Sequence, residues 1–182
     1  MLEIFKKLFK QRFIEKQQNF INSLSGYCLV TYLLQIKDRH NGNIMVDDEG
    51  HLIYIDFGFC LTLSPGNIGF ENTPFKFNQE YLEVIGEIES SEFFYFKMQI
   101  IKGFKAFRKH YEEIIYILEI WKNLEIPCFN NFDLNVFKER FHINLSDIQR
   151  EQLVNNLIYT ALNSTRTLMY DQFQKYTNNI EY

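Results

Sequence analysis

KDRHNGNIMVDDEGHLIYIDFG, residues 37–58, holds most of the chemistry legible in this chain. It sets an Asp, a His and an Asn within six positions, as Asp38, His40 and Asn43. Thirteen residues after Asn43 come Asp56, Phe57 and Gly58. The two short β-rich runs between them, IMVD and HLIYID, flank Asp48-Glu49-Gly50, residue types that turn a chain sharply. The spacing therefore predicts a hairpin whose second strand ends at the DFG. Such a hairpin can return the chain to its start and bring Asn43 and Asp56 to one point.

Phosphoryl transfer from ATP needs an aligned hydroxyl, magnesium across the phosphates, and a group that orients the hydroxyl or takes its proton. Magnesium prefers hard oxygen ligands and takes only one or two from a protein. The Asn43 amide and the Asp56 carboxylate are of that kind. Protein kinases place a base Asp five residues before a metal-binding Asn, in H-R-D-x-x-x-x-N, and follow it with a DFG Asp. Asp38 and Asn43 keep that interval, but here the His follows the Arg, giving D-R-H. Either tripeptide alone would be an ordinary surface feature or a chance match. Joined by a hairpin, the two read as a kinase site.

The bulk composition narrows the class. A chain of 182 residues, 46% hydrophobic and 23% charged, has the make-up of one globular domain with a real core. Its net charge of -4 argues against a general nucleic-acid binder, which needs a basic stripe to neutralise phosphates. Cys28, Cys60 and Cys128 are scattered and form no CxxC, so neither a zinc site nor a disulfide framework follows, and a reducing setting is expected. No apolar run is long enough to span a bilayer. The basic, amphipathic start, MLEIFKKLFKQRFIEKQQNF, lacks the continuous apolar stretch of a secretion signal and reads as a helix packed on the domain.

Along the chain, apolar residues at helical intervals from Leu2 to Leu24 predict a first helix to about Ser23, with a turn or kink at Ser25-Gly26. YCLVTYLLQI, residues 27–36, is apolar nearly all round and reads as a buried helix. Phe59 to Phe77 is a long aperiodic loop, of the sort that is usually functional. Asn78 is placed to cap a short helix ending near Gly86. Residues 91–123 read as two helices broken near Lys109 to Tyr111, with Pro127 in the linker that follows. A short helix is expected over Asp133 to Phe141. Ser146 and Gln149 form a capping box opening a last helix to about Tyr176. Near its end Met169, Tyr170, Phe173 and Tyr176 share a helical face that suits core packing, and in the last turns suits a lipid surface. His51, His110 and His142 show no partner pattern and read as ordinary surface or satisfied core residues.

The DRHxxN and DFG motifs, with LSPGNIGFENTPFKF and the later FKMQIIKGFKAFRKH and KERFHINLS, make the sequence resemble the phosphoinositide 3/4-kinase family over residues 16–176. Within it, the type III phosphatidylinositol 4-kinase branch, particularly the beta form, is most similar. The resemblance implies a mainly α (α+β) fold: a helical C-terminal lobe with a small hairpin carrying residues 37–43 as catalytic loop and an activation loop over 56–77. It implies ATP and magnesium as cofactors, phosphatidylinositol in a membrane surface as substrate, and cytoplasmic residence with peripheral recruitment to an intracellular membrane such as the Golgi. Asp38 and His40 would be the competing candidates for the base, Asn43 and Asp56 the metal ligands, and Met45 and Ile55 the apolar floor under adenine. Phe57 and Gly58 would set the loop geometry, and Arg39 would be structural, acting through hydrogen bonds.

The activation loop reads the headgroup in this family, and relatives acting on polyphosphorylated inositides carry a basic cluster there. From Phe59 to Phe77 Lys76 is the only base and Glu71 the only acid, which favours unphosphorylated phosphatidylinositol. Lys76 is then either a contact to the single lipid phosphodiester or a surface lysine without a role. The family's N-terminal lobe carries a glycine-containing phosphate loop and a phosphate-binding lysine, and nothing before Asp38 resembles either. The whole chain, 1–182, is accordingly expected to be the larger lobe of a partial catalytic domain, with a bare apolar surface where the other lobe would pack. The alternative reading is a catalytically silent lipid- or partner-binding module of the same fold. A protein kinase is the third choice, disfavoured by DRH and by the lack of APE after the DFG loop.

Overall fold

Helix α1 (Leu2–Leu8) and the long helix α2 (Phe13–Leu34) lead into the hairpin β1 (Ile44–Val46) and β2 (Leu52–Tyr54). Then follow α3 (Gln79–Ile85), α4 (Ser91–Lys109), α5 (Tyr111–Lys122), α6 (Leu134–Glu139) and α7 (Asp147–Leu162). This computed structural model describes residues 1–65 and 73–165, with residues 169, 171, 172, 175 and 176. The architecture is mainly helical, as expected, with one two-stranded antiparallel sheet among the described residues.

The expected capping signals at Asn78, Gly86 and Ser146 act as caps, and Asp133 caps α6 as well. Asn78 accepts the Tyr81 N–H and Gly86, at φ 129, ends α3; Asp133 accepts the Asn135 N–H; Ser146 and Gln149 close a reciprocal box at the head of α7. The break between α4 and α5 falls at His110. The three histidines outside the DRH motif are all partnered: His51 by Asp47, His110 by Glu113 and His142 by Tyr32.

Three helix expectations are corrected. The first helix breaks at Phe9–Arg12, and α2 runs unbroken through Ser25-Gly26. The early break lets Phe9, Phe13 and Phe20 all gather on Phe5, edge-on at 4.6, 6.0 and 5.6 Å between centroids. Ser25 stays helical because its buried hydroxyl bonds the Ile21 carbonyl at 2.7 Å, and Gly26 points outward into open space. The propensity lost at one glycine, about 1 kcal/mol, is small beside the burial of Leu24, Cys28 and Leu29 around it. The last helix ends at Leu162, with Asn163 as its cap; residues 165, 169, 171, 172, 175 and 176 are again helical. Met169 and Tyr176 are exposed, while Tyr170 and Phe173 lie outside the described residues.

The core lies where α2 crosses α4, which α7 also packs against. Phe20, Phe77, Phe96 and Phe141 are fully buried there or beside it, each worth about 1.5–3 kcal/mol of transfer free energy. The hairpin sits on α2 by one face: Leu52 and Tyr54 are buried, Tyr54 stacks on Tyr27 at 4.0 Å, and the Leu52 N–H donates to Ser23 Oγ. Its turn is fixed as well. Buried Lys16 pairs with Glu49 at 2.6 Å, and Gly50, at φ 84, lies flat against the Lys16 backbone.

One substitution at two glycines should therefore have opposite effects in urea unfolding. Gly26→Ala is expected to stabilise by about 0.5–1 kcal/mol, because the site is helical and empty. Gly50→Ala is expected to destabilise by about 1–3 kcal/mol, because its Cβ would lie 2.7 Å from the Lys16 oxygen at a φ that side chains resist.

Candidate active site

Helix α2 ends with Gln35 in the left-handed region, and the chain leaves it extended. Two backbone bonds zip this exit to the segment beyond the DFG: the Leu61 N–H donates to the Leu34 carbonyl and the Lys37 N–H to the Phe59 carbonyl, both at 2.8 Å. Residues Asn41–Asn43 form a single 3-10 turn, closed by the Asn43 N–H on the His40 carbonyl at 3.0 Å. The Ile55 N–H then donates to the Asn43 carbonyl at 3.0 Å, so the end of the DRHNGN turn lies beside the residue preceding Asp56. The hairpin does return the chain to its start.

Arg39 is the clamp between the two motifs. Its guanidinium donates to the Lys37 carbonyl at 2.8 Å, the Ile55 carbonyl at 2.9 Å and the Asp56 carbonyl. It also lies over the rings of Tyr54 and Phe57, at 5.6 and 5.4 Å from their centroids. The side chain is buried and acts on backbone, as its expected structural role requires. On either side of it Asp38 and Asp56 take left-handed φ values of 65 and 55, a conformation that Asp tolerates better than most residues.

Asp38, His40 and Asn43 come together and are nearly buried. The Asn43 amide nitrogen donates to the Asp38 carbonyl at 3.0 Å and reaches its carboxylate at 3.4 Å, which leaves the amide oxygen directed elsewhere. His40 Nδ1 accepts the Gly42 N–H at 3.1 Å, so the hydrogen of the neutral ring sits on Nε2, facing Asp38 Oδ1 at 3.7 Å. Burial is the main reason the His40 ring titrates below its ordinary value; Lys76 and Arg39 push the same way, against Asp38 and Asp171.

Asp56 is exposed, and its Oδ1 accepts the Gly58 N–H at 3.2 Å. Met45 lies opposite Ile53 in the hairpin, and Ile55 follows on the same side, so the three share one face. All three are exposed, as is Phe57. This is the bare apolar surface expected from the sequence, and Ile53 belongs to it although no signal singled it out. Lys76 is a different case. It is neither a surface lysine nor open to a ligand: only 2% exposed, its ammonium bonds Asn41 at 2.6 Å and both Asp171 oxygens at 2.8 Å. Asn41 and Asp171 were not legible as site residues, because only the fold brings position 171 to the loop. Glu71 lies outside the described residues.

The donor chemistry fits magnesium. The amide oxygen of Asn43 and the carboxylate of Asp56 are hard oxygens in neighbouring segments, one or two protein ligands being the usual complement for an ion that also holds phosphates. Among the described residues no group of three or more His, Cys, Asp and Glu is placed to hold a metal. Nor is any helix there long and apolar enough to cross a membrane.

A family model described as phosphatidylinositol 3- and 4-kinase matches residues 1–131. Over 172 residues the chain is 46% identical to phosphatidylinositol 4-kinase beta of Danio rerio, 45% to that of Xenopus tropicalis and 44% to that of Homo sapiens. Each match covers 93% of this chain and 21% of the relative, so the chain spans about a fifth of the length of these proteins.

Arg39→Lys should separate the two motifs without removing the charge. One ammonium cannot reproduce a planar fork on three carbonyls. Stability is expected to fall by about 2–3 kcal/mol, and the Ile55 amide to lose protection in hydrogen exchange. A second expectation concerns pH. His40 and His142 are held below the ordinary histidine value of 6.5, chiefly by burial, so the unfolded chain takes up their protons first. The stability they contribute as neutral rings is complete above about pH 6.5 and lost as pH falls through that value toward their folded values. Melting temperature should drop between about pH 7.5 and 5.5. His142→Asn, which suits the φ of 45 there, should flatten that slope.

Proposed function

The chain belongs to the phosphatidylinositol 3- and 4-kinase family, and on that premise we propose that its site is the catalytic half of a phosphatidylinositol 4-kinase, which passes the γ-phosphate of ATP to the 4-hydroxyl of phosphatidylinositol. The observation that carries this reading is the Arg39 clamp, which holds the DRHxxN turn and the DFG segment against one another.

Asp38 is the group that orients the inositol hydroxyl and takes its proton. His40 is less suited to that task, because its Nδ1 already accepts the Gly42 N–H and its Nε2 carries the hydrogen. Its part is to face Asp38 with that N–H and fix where the carboxylate points. Asn43 and Asp56 hold magnesium, which, when bound, neutralises the phosphate charge that builds up during transfer. Met45, Ile53 and Ile55 form the floor for adenine and the seat for a second lobe, their exposure supporting both uses. Residues 37–43 serve as catalytic loop and 56–77 as activation loop within a partial catalytic domain. The loop's one base is buried in an ion pair, which supports a headgroup without phosphates. The substrate sits in a membrane surface, so recruitment is peripheral, at an intracellular membrane.

Labelled-phosphate transfer from magnesium-ATP to phosphatidylinositol vesicles by the chain tests this reading. The expected product is the 4-phosphate. Asp38→Asn is expected to lower transfer by about 100-fold or more, and Asp56→Asn to abolish it. Phosphate on another ring position would overturn the substrate, and transfer indifferent to Asp56 would overturn the site. No transfer from a folded chain would favour the catalytically silent module, a reading to which the open hairpin face gives some ground.

A further inference from the structure

The buried ion pair of Lys76 and Asp171 has no part in the chemistry above. Both side chains are almost wholly enclosed, at 1% and 3% exposure. Lys76 stands two residues before Asn78, the cap of α3, and Asp171 comes 95 positions later. One ammonium thus ties three distant segments: the end of the activation loop, the C-terminal stretch and, through Asn41 Oδ1 at 2.6 Å, the catalytic turn.

Enclosing two charges is a poor way to gain stability alone, since an apolar pair of similar volume packs as well or better. Geometry is what this pair provides that an apolar one does not. Asn41 opens the turn Asn41–Asn43 and follows His40 directly. The turn's other bonds run from Gly42 and Asn43 back to His40. A fixed Asn41 side chain therefore sets where the His40 ring and the Asn43 amide stand. The carboxylate of Asp171 meets the ammonium with both oxygens, and so directs a remaining hydrogen to Asn41.

We propose that Lys76 and Asp171 are a positioning couple, in which Asp171 holds the Lys76 ammonium against Asn41 and so fixes the catalytic turn from the far end of the chain. Its meaning for catalysis rests on the kinase reading; the physical coupling does not.

The test is hydrogen exchange of the chain itself, read at the Gly42 and Asn43 amides. Asp171→Asn and Lys76→Met each leave an uncompensated buried group and are expected to lower the melting temperature. The double variant Lys76→Met with Asp171→Leu restores a neutral pair and should recover most of it. In all three the two turn amides are expected to exchange about tenfold faster, because Asn41 has lost its aligned donor. Asn41→Ala, which leaves the ion pair in place, should loosen the same amides and little else. Wild-type exchange at Gly42 and Asn43 in the double variant, or in Asn41→Ala, would overturn the proposal and leave the pair a packing device. In the vesicle assay the double variant should lose about tenfold in kcat with KM for ATP little changed. A wild-type chain that transfers no phosphate would count against the kinase reading, while the exchange experiment would still decide the coupling.

Discussion

Everything at this site depends on one guanidinium serving three backbone carbonyls. The segments on either side of the hairpin have no ladder or helix to satisfy them, so their carbonyls need donors from a side chain or water. Arg39 supplies donors to Lys37, Ile55 and Asp56 at once, with its charge over the rings of Tyr54 and Phe57. Two left-handed aspartates, Asp38 and Asp56, flank the clamp. Left alone, such conformations would relax; over-determined from several sides, they persist and present their carboxylates in set directions.

The hairpin divides labour between its faces. Two strands of three residues are marginal by themselves, so their stability comes from α2, through Leu52, Tyr54 and the Tyr27 stack. The Lys16–Glu49 pair and the close seat of Gly50 lock the turn to the same helix. A rigid helix of 22 residues thereby carries the DFG at the end of a short lever. The opposite face, with Met45, Ile53 and Ile55, is left apolar and uncovered.

What was legible in the sequence was local. Asn78, Asp133 and Ser146 announce helix starts because a cap needs only a side chain and an amide two or three residues on. The hairpin and the Asp38–Asn43 interval are likewise short-range. Gly26 misled because its cost is local, while the packing that overrides it comes from α4 and the hairpin. The break at Phe9–Arg12 was hidden because an unbroken helical period and two helices folded around Phe5 place apolar residues at nearly the same intervals. Lys76 was misread for the plainest reason: its partner lies 95 residues away.

The enclosure of Lys76 sharpens the substrate argument. A loop with one base could still have offered that base to a phosphate, and charge alone would then have left the headgroup open. With the ammonium held between Asn41 and Asp171, the loop's own sequence has no further cation to give. Lys37, just before the DRH motif, donates to Ser64 at 2.6 Å and so braces the loop's first part. A headgroup phosphate carries about −1.5 to −2 charges, and docking it beside such a loop would strip water from it without supplying ion pairs in return. Under the proposed function, discrimination would need no contact to the favoured lipid; it would follow from what the loop withholds from the disfavoured one.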